Sequence, residues 1–210
     1  MKKKQLATLL VLAISAAMII WAYCFFLQKP NEVVSEPLHT DAVIKNVPAV
    51  DLLILVNKDN KLPDDYEPDL TTGGAKFDKV LSGGLTEMRA AAKKENIYLM
   101  VGSAYRTAAE QEQLFNELGS SVAAQPGYSE HQTGLAIDFS YSGLSDEETN
   151  RMWNWLADNA YKYGFILRYP KDKENITGFP YEPWHFRYVG KVPAKAIFEQ
   201  DLTLEEYLSK

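Results

Sequence analysis

Ser129-Glu130-His131-Gln132-Thr133-Gly134-Leu135-Ala136-Ile137-Asp138 is the stretch around which the rest of the chain is organised. It sets an imidazole and a carboxylate seven residues apart, separated by a glycine turn and the start of an alternating apolar run. After Gly134 the alternation puts Leu135, Ile137 and Phe139 on one face and Ala136, Asp138 and Ser140 on the other, the period of a strand with one buried face. Asp138 is thereby expected to project from a strand beside the small Ala136, with open space above it. A carboxylate on a rigid strand is better placed for coordination than one on a mobile loop.

A second stretch, Glu182-Pro183-Trp184-His185, supplies another carboxylate and another imidazole. The following alternation sets His185 and Arg187 on one face against Trp184, Phe186 and Tyr188 on the other. Glu182 is out of phase with His185, so Pro183 must mark a bend if both are to reach one metal. A catalytic zinc site takes about three protein ligands and keeps one position for water. His131, Asp138 and His185 fill that requirement. Any one of them alone is more often structural, and the spacings alone recur by chance. Together they carry weight, because the two histidines after the linker both fall in ligand-like settings.

A metal there would lower the pKa of its water to ~7. Glu182 is then the candidate general base, and Arg106 the candidate cation for the charge that develops on an attacked amide carbonyl. On its own, Arg106 reads equally as a surface salt-bridge residue and Gln111 as a solvated helix residue. No serine, cysteine or N-terminal nucleophile arrangement competes.

The 210 residues are 46% hydrophobic and 24% charged, which fits one globular domain plus an N-terminal addition. A formal net charge of -6 argues against nucleic acid or another polyanion as the main partner. The single cysteine, Cys24, excludes an internal disulfide framework and a Cys-rich zinc site.

Lys2, Lys3 and Lys4 precede an uncharged run from Leu6 to Leu27, long enough to cross a ~30 Å hydrocarbon core as a helix. The lysines orient residues 1–5 to the cytoplasm and everything after the span outside. The run ends Trp21-Ala22-Tyr23-Cys24-Phe25-Phe26, which suits an uncleaved anchor better than a signal peptidase site or a lipidated cysteine. Residues 28–47 have no helical or strand period and read as a linker, with His39 a solvated tether residue. Residues 48–210 are the extracellular domain.

Within it, Leu52-Leu53-Ile54-Leu55-Val56 reads as a buried strand. Helical spacing runs from Lys76 to Glu95, with Gly83 and Gly84 pointing to a close packing contact. Tyr98 to Ser103 is a strand, and Thr107-Ala108-Ala109-Glu110 is a capping box that opens a helix ending at Gly119. Ser145-Asp146-Glu147-Glu148 opens another, with Met152, Trp153, Leu156, Ala157 and Ala160 on its buried side and Gly164 as its stop. Phe165 to Tyr169 is a strand, Pro170 to Pro180 a charged loop, and Ala194–Gln200 and Thr203–Leu208 are covering helices.

Ser129-x-His131-x-x-Gly134-x-Ala136-x-Asp138 followed by Glu182-Pro183-Trp184-His185 resembles the zinc-dependent VanY-type D-alanyl-D-alanine carboxypeptidases and the related L,D-carboxypeptidases of bacterial cell walls. Ser103-x-Tyr105-Arg106 with Gln111, and the Val56-Asn57-Lys58 and Leu62-Pro63 opening, fit the same pattern, which spans about residues 50 to 208. The resemblance implies an α+β fold, with helices around a small, mainly antiparallel sheet that carries the zinc site. It also implies that His131, Asp138 and His185 bind Zn2+, Glu182 is the base, Arg106 stabilises the transition state, and Ser129 and Gln111 help hold the substrate peptide. The expected substrates are peptidoglycan stem peptides or their lipid-linked precursors, shortened by their C-terminal D-alanine. The expected enzyme is a monomer tethered by its N-terminal helix. An L,D-carboxypeptidase acting on tetrapeptide stems is the near rival, and a non-catalytic wall-binding module the more distant one.

Overall fold

The computed structural model describes residues 51–120 and 122–210, so the expected cytoplasmic stub, anchor and linker lie outside the described residues. Among the described residues no helix is long and apolar enough to cross a membrane. The described residues belong to one unit, Pro48–Lys210.

The architecture is α+β. Four strands, β1 (Met100–Ser103), β2 (Ala136–Ser140), β3 (Phe165–Leu167) and β4 (His185–Tyr188), form one sheet in the order β1-β2-β4-β3. Every neighbouring pair is antiparallel. Around the sheet lie α1 (Ser82–Lys94), α2 (Ala108–Leu118), α3 (Asp146–Asn159), the single turn α4 (Glu174–Thr177), α5 (Lys191–Glu199) and α6 (Leu204–Leu208).

The register of β2 on β4 explains why the sheet can carry both a core and a site. Ala136 stands opposite Arg187, Ile137 opposite Phe186 and Asp138 opposite His185. Directly opposed residues of an antiparallel pair share a face. Ile137, Phe139, Phe165 and Phe186 therefore point together into the main core, against Leu85, Met88 and Ala92 of α1 and Met152, Trp155 and Leu156 of α3. Asp138, His185 and Arg187 share the other face. A second apolar cluster, Ile166, Val189, Ala194, Ile197 and Leu204, fixes α5 and α6.

The capping boxes at Thr107 and Ser145 form as expected, with both reciprocal hydrogen bonds present, and a third closes the start of α6 at Thr203. Of the two glycines in α1, Gly84 makes the close contact: a side chain there would collide with the carbonyl oxygen of Tyr163 and press on Tyr188. Gly83 faces open space. In α3 it is Trp155 that is buried, its indole Nε1 donating to Glu95 Oε1 at 2.8 Å, while Trp153 packs edge-on against Tyr141. Pro170–Pro180 contains the helical turn α4.

Leu52–Val56 is not a strand. Its side chains do what the hydrophobicity demands, with Val56 fully buried and Leu53 and Leu55 packed on the second cluster. Its backbone, however, is claimed by a side chain, since Arg187 Nη2 donates to the carbonyl oxygens of Leu52 (3.2 Å) and Ile54 (2.9 Å). Carbonyls that accept from a buried guanidinium satisfy the hydrogen-bonding requirement that would otherwise favour sheet pairing.

Candidate active site

The opening stretch folds as a 3-10 turn, Glu130–Thr133, which ends on Gly134 in the left-handed conformation (φ 72°) before β2 begins. A side chain at Gly134 would also press on the backbone of Asp78 and on Pro68 at 3.1 Å. The turn brings the His131 ring over the strand face that holds Asp138. On β4, His185 arrives beside Asp138 because the two are register partners. The expected bend at Pro183 is a turn over Pro183 and Trp184, closed by His185 N–H donating to the Glu182 carbonyl at 3.1 Å. Glu182 is tied back through its own N–H to Tyr169 O at 3.1 Å, which leaves its carboxylate Oε2 3.9 Å from His185 Nδ1.

His131, Asp138 and His185 each offer a ligand atom, and these atoms lie within 4.8 Å of one another. Asp138 sits between the rings, with Oδ2 3.2 Å from His131 Nε2 and Oδ1 2.8 Å from His185 Nδ1. The imidazoles meet edge to face, 5.0 Å apart at 84°. Their outer nitrogens are occupied: His131 Nδ1 is 2.6 Å from Ala104 O, and His185 Nε2 is 3.4 Å from Glu130 Oε2. Two imidazoles with fixed outer acceptors and inward-facing inner nitrogens, joined by a carboxylate, are a donor set that fits Zn2+.

The electrostatics favour a cation at this point. Although burial opposes it, the Asp138 carboxyl is held well below the usual range by the two histidines. His131 is pushed down, chiefly by burial. Burial also works against an imidazolium at His185, but the hydrogen bonds to Asp138 and Glu130 outweigh it and push the ring up to about 9. Because this value lies above that of an unfolded histidine (~6.5), the proton held there stabilises the fold fully below pH ~6.5 and ceases to do so as the pH rises through about 9. With a chelator present, the thermal midpoint is expected to fall between those two pH values, the proton contributing roughly 3 kcal/mol at the lower one. Zinc should remove this dependence, since metal and proton compete for Nδ1. A melting temperature independent of pH over that interval in chelator would contradict the assignment.

These residues line a cavity of about 280 Å³, walled also by Arg106, Gln111, Ser129, Glu182, Trp184 and the apolar Leu114 and Leu118. A separate cavity of about 190 Å³ between α3, β3 and α5 is lined mainly by apolar side chains and holds no such cluster. Arg106 lies at the mouth of α2, its Nη2 4.0 Å from Asp138 Oδ2 and its Nη1 donating to Gln111 Oε1 at 2.6 Å. Gln111 is not a solvated helix residue: it is 1% exposed, and its Nε2 donates to Ala124 O at 2.7 Å. Its amide thus braces the guanidinium of Arg106 and ties it to the loop at Ala124, while Gln111 itself still lines the cavity. The apolar pair Leu114 and Leu118 faces the cavity instead of the core. Ala136 differs from expectation too, since it and its partner Arg187 are both fully buried, so the space beside it holds an arginine.

Residues 74–191, more than half of the chain, match the family described as VanY, D-alanyl-D-alanine carboxypeptidase. The chain belongs to this family. It is 39% identical over 176 residues to a D-alanyl-D-alanine carboxypeptidase of Enterococcus faecalis (strain ATCC 700802 / V583), a match covering 75% of this chain and 65% of that one. Among solved structures it is similar to a mutant of the vancomycin resistance D,D-pentapeptidase VanY from a VanB-type resistance cassette, in complex with Zn(II). That match has 39% identity and a TM-score of 0.69, and covers 74% of this chain and 98% of the other. It is also similar to the LdcB LD-carboxypeptidase, at 43% identity and a TM-score of 0.69, over 76% of this chain and 86% of that one. The chain spans about half to two-thirds of the length of the first three curated relatives it matches. The ion bound by the VanY relative is the one that the donor set here fits.

A group of charges that sequence analysis missed lies directly behind His185. Glu130 is 1% exposed, and its Oε1 accepts from Arg168 Nε at 2.7 Å and from Arg187 Nη1 at 2.9 Å. Arg168 is fully buried and forks onto Glu205 of α6, with Nη1 and Nη2 2.9 and 2.7 Å from its carboxylate oxygens. Asn57 Nδ2 donates to the same carboxylate at 3.0 Å. One signal was available. An arginine on the face of a central strand that also carries a candidate ligand needs a buried carboxylate nearby, because charged side chains are rarely buried without a partner. Glu130, next to His131, is the carboxylate that meets this need.

Proposed function

We propose that this chain is a zinc carboxypeptidase that removes the C-terminal D-alanine from peptidoglycan stem peptides or their lipid-linked precursors. The observation that carries the reading is the grouping of His131, Asp138 and His185 in one cavity with Glu182 and Arg106. His131, Asp138 and His185 would hold the ion. Zinc, when bound, supplies Lewis acidity that polarises a carbonyl and makes water a better nucleophile near neutral pH.

The chain's own groups do the rest. Burial raises the Glu182 carboxyl above its ordinary value, with the charge of Asp138 acting in the same direction and His185 and Arg106 opposing. A carboxylate so tuned takes the proton of the attacking water and returns it to the leaving amine of D-alanine. Burial likewise lowers Arg106, with Asp138 opposing, and an arginine stays charged at neutral pH. Braced by Gln111, it faces the oxyanion as it develops. Ser129 binds the peptide end, a role supported by its position in the cavity lining, where Leu114 and Leu118 add apolar surface. A wall-binding module without turnover would need neither Glu182 nor Arg106 in this cavity.

The D,D reading follows the family and the VanY relatives, and the similarity to LdcB favours an L,D-carboxypeptidase acting on tetrapeptide stems as the second reading. Lys2–Lys4 and the uncharged run to Leu27 support a tether to the membrane with the domain outside. Purified protein given muropeptides that end in D-Ala-D-Ala or in a single D-alanine is expected to release D-alanine from the former, and chelator should stop it. Release only from the single-D-alanine peptide would establish the L,D reading. No release from either with zinc restored would overturn both.

A further inference from the structure

We infer that Glu130 is a positioning residue for the metal: accepting a hydrogen bond from His185 Nε2–H, it locks the ring in the tautomer that leaves Nδ1 for the ion. The inference rests on the zinc reading above. Nothing in the expected ligand set calls for a charge at position 130, yet the most enclosed carboxylate of the site is placed there, 3.4 Å from the outer nitrogen of a candidate ligand.

What makes Glu130 more than a core ion pair is how its two oxygens are divided. Oε1 takes both arginines, Arg168 and Arg187, and Oε2 is turned to His185. Arg168 and Arg187 are each anchored again on their far sides, Arg168 by Glu205 and Arg187 by the carbonyls of Leu52 and Ile54. The carboxylate therefore cannot rotate away without breaking contacts to α6 and to the first described segment. With His185 neutral, the charges of Glu130 and Glu205 balance those of Arg168 and Arg187, so the group is satisfied without a proton or a metal. On its open face His185 is stacked on Tyr169, ring centroids 4.8 Å apart, over which Arg168 lies at 5.1 Å. The imidazole is thus held by its plane, by its outer nitrogen and by β4, and only Nδ1 points to Asp138 and the ion. A carboxylate on the outer nitrogen of a ligating histidine fixes ring orientation and raises ligand basicity, and its loss typically weakens metal binding by ~10- to 100-fold.

The test measures zinc affinity by chelator competition, which needs no substrate. Glu130→Gln keeps the size of the side chain and loses the charge, and its zinc dissociation constant is expected to rise by ~10- to 100-fold. Glu205→Gln disturbs the same group at its far end and should lower the melting temperature while shifting zinc affinity by no more than a few-fold. Should Glu130→Gln fail to fold, Glu130→Asp keeps the charge between the arginines and withdraws it from His185, and the same weakening is expected. Long-range proton–nitrogen NMR correlations of the zinc-loaded wild-type protein read the tautomer directly, and Nε2 must carry the proton. Unchanged zinc affinity in a folded Glu130 variant, or a proton on Nδ1 of zinc-loaded His185, would overturn the inference. Failure of the wild-type protein to bind zinc would instead overturn the reading on which it rests.

Discussion

Asp138→Ala is expected to abolish zinc binding and, with it, release of D-alanine. The carboxylate reaches both imidazoles, at 3.2 Å to His131 and 2.8 Å to His185, and it offers the only negative charge among the three candidate ligands. Its removal leaves two nitrogen donors, fewer than the three protein ligands of a catalytic zinc site. Arg106, whose Nη2 lies 4.0 Å from Asp138, would then face the ion's position without an intervening anion. The effect should be visible without any substrate. Zinc at ~1,000 times its dissociation constant stabilises a folded protein by about 4 kcal/mol, and in Asp138→Ala the melting temperatures with zinc and with chelator should coincide. Stoichiometric zinc at wild-type affinity in this variant would remove Asp138 from the ligand set.

Glu182→Gln should leave metal affinity and KM within a few-fold of wild type while lowering kcat by roughly 100- to 10,000-fold, the range for loss of a positioned general base. The amide keeps the cavity wall, and the turn over Pro183 and Trp184 is held by backbone hydrogen bonds that the substitution does not touch. Only proton transfer is lost. In the wild-type enzyme the acid limb of kcat/KM should fall above the ordinary glutamate range, because burial raises the Glu182 carboxyl and the base works only when deprotonated. A variant with undiminished kcat would assign the proton transfer elsewhere.

Much of this was legible in the sequence, for reasons that differ from element to element. Alternation after Gly134 was enough to place Asp138 on a strand and on the opposite face from Ile137 and Phe139, because burial enforces a period of two. Capping boxes at Thr107 and Ser145 are local chemistry, and they formed where they were read. Leu52–Val56 is not a strand, and the carbonyls of Leu52 and Ile54 instead accept from Arg187, far away along the chain. Gln111 looked solvated because helix periodicity says nothing of a neighbouring loop, and here Ala124 and Arg106 close over it. The group formed by Glu130, Arg168, Arg187 and Glu205 joins four separate stretches, and no window of sequence contains it. What could be read was the need: a buried arginine on β4 has to find an acid.

The pairing of Asp138 with His185 across β2 and β4 also bears on how the chain reaches its folded state. Sliding β4 by one residue against β2 would turn His185 and Arg187 toward the apolar helices and expose Phe186, and the donors would no longer meet. A sliding of two residues would restore the faces but separate the donors by roughly 7 Å along the strand. Zinc held by these donors would therefore favour the native alignment of β2 and β4, because the donors meet only in that register.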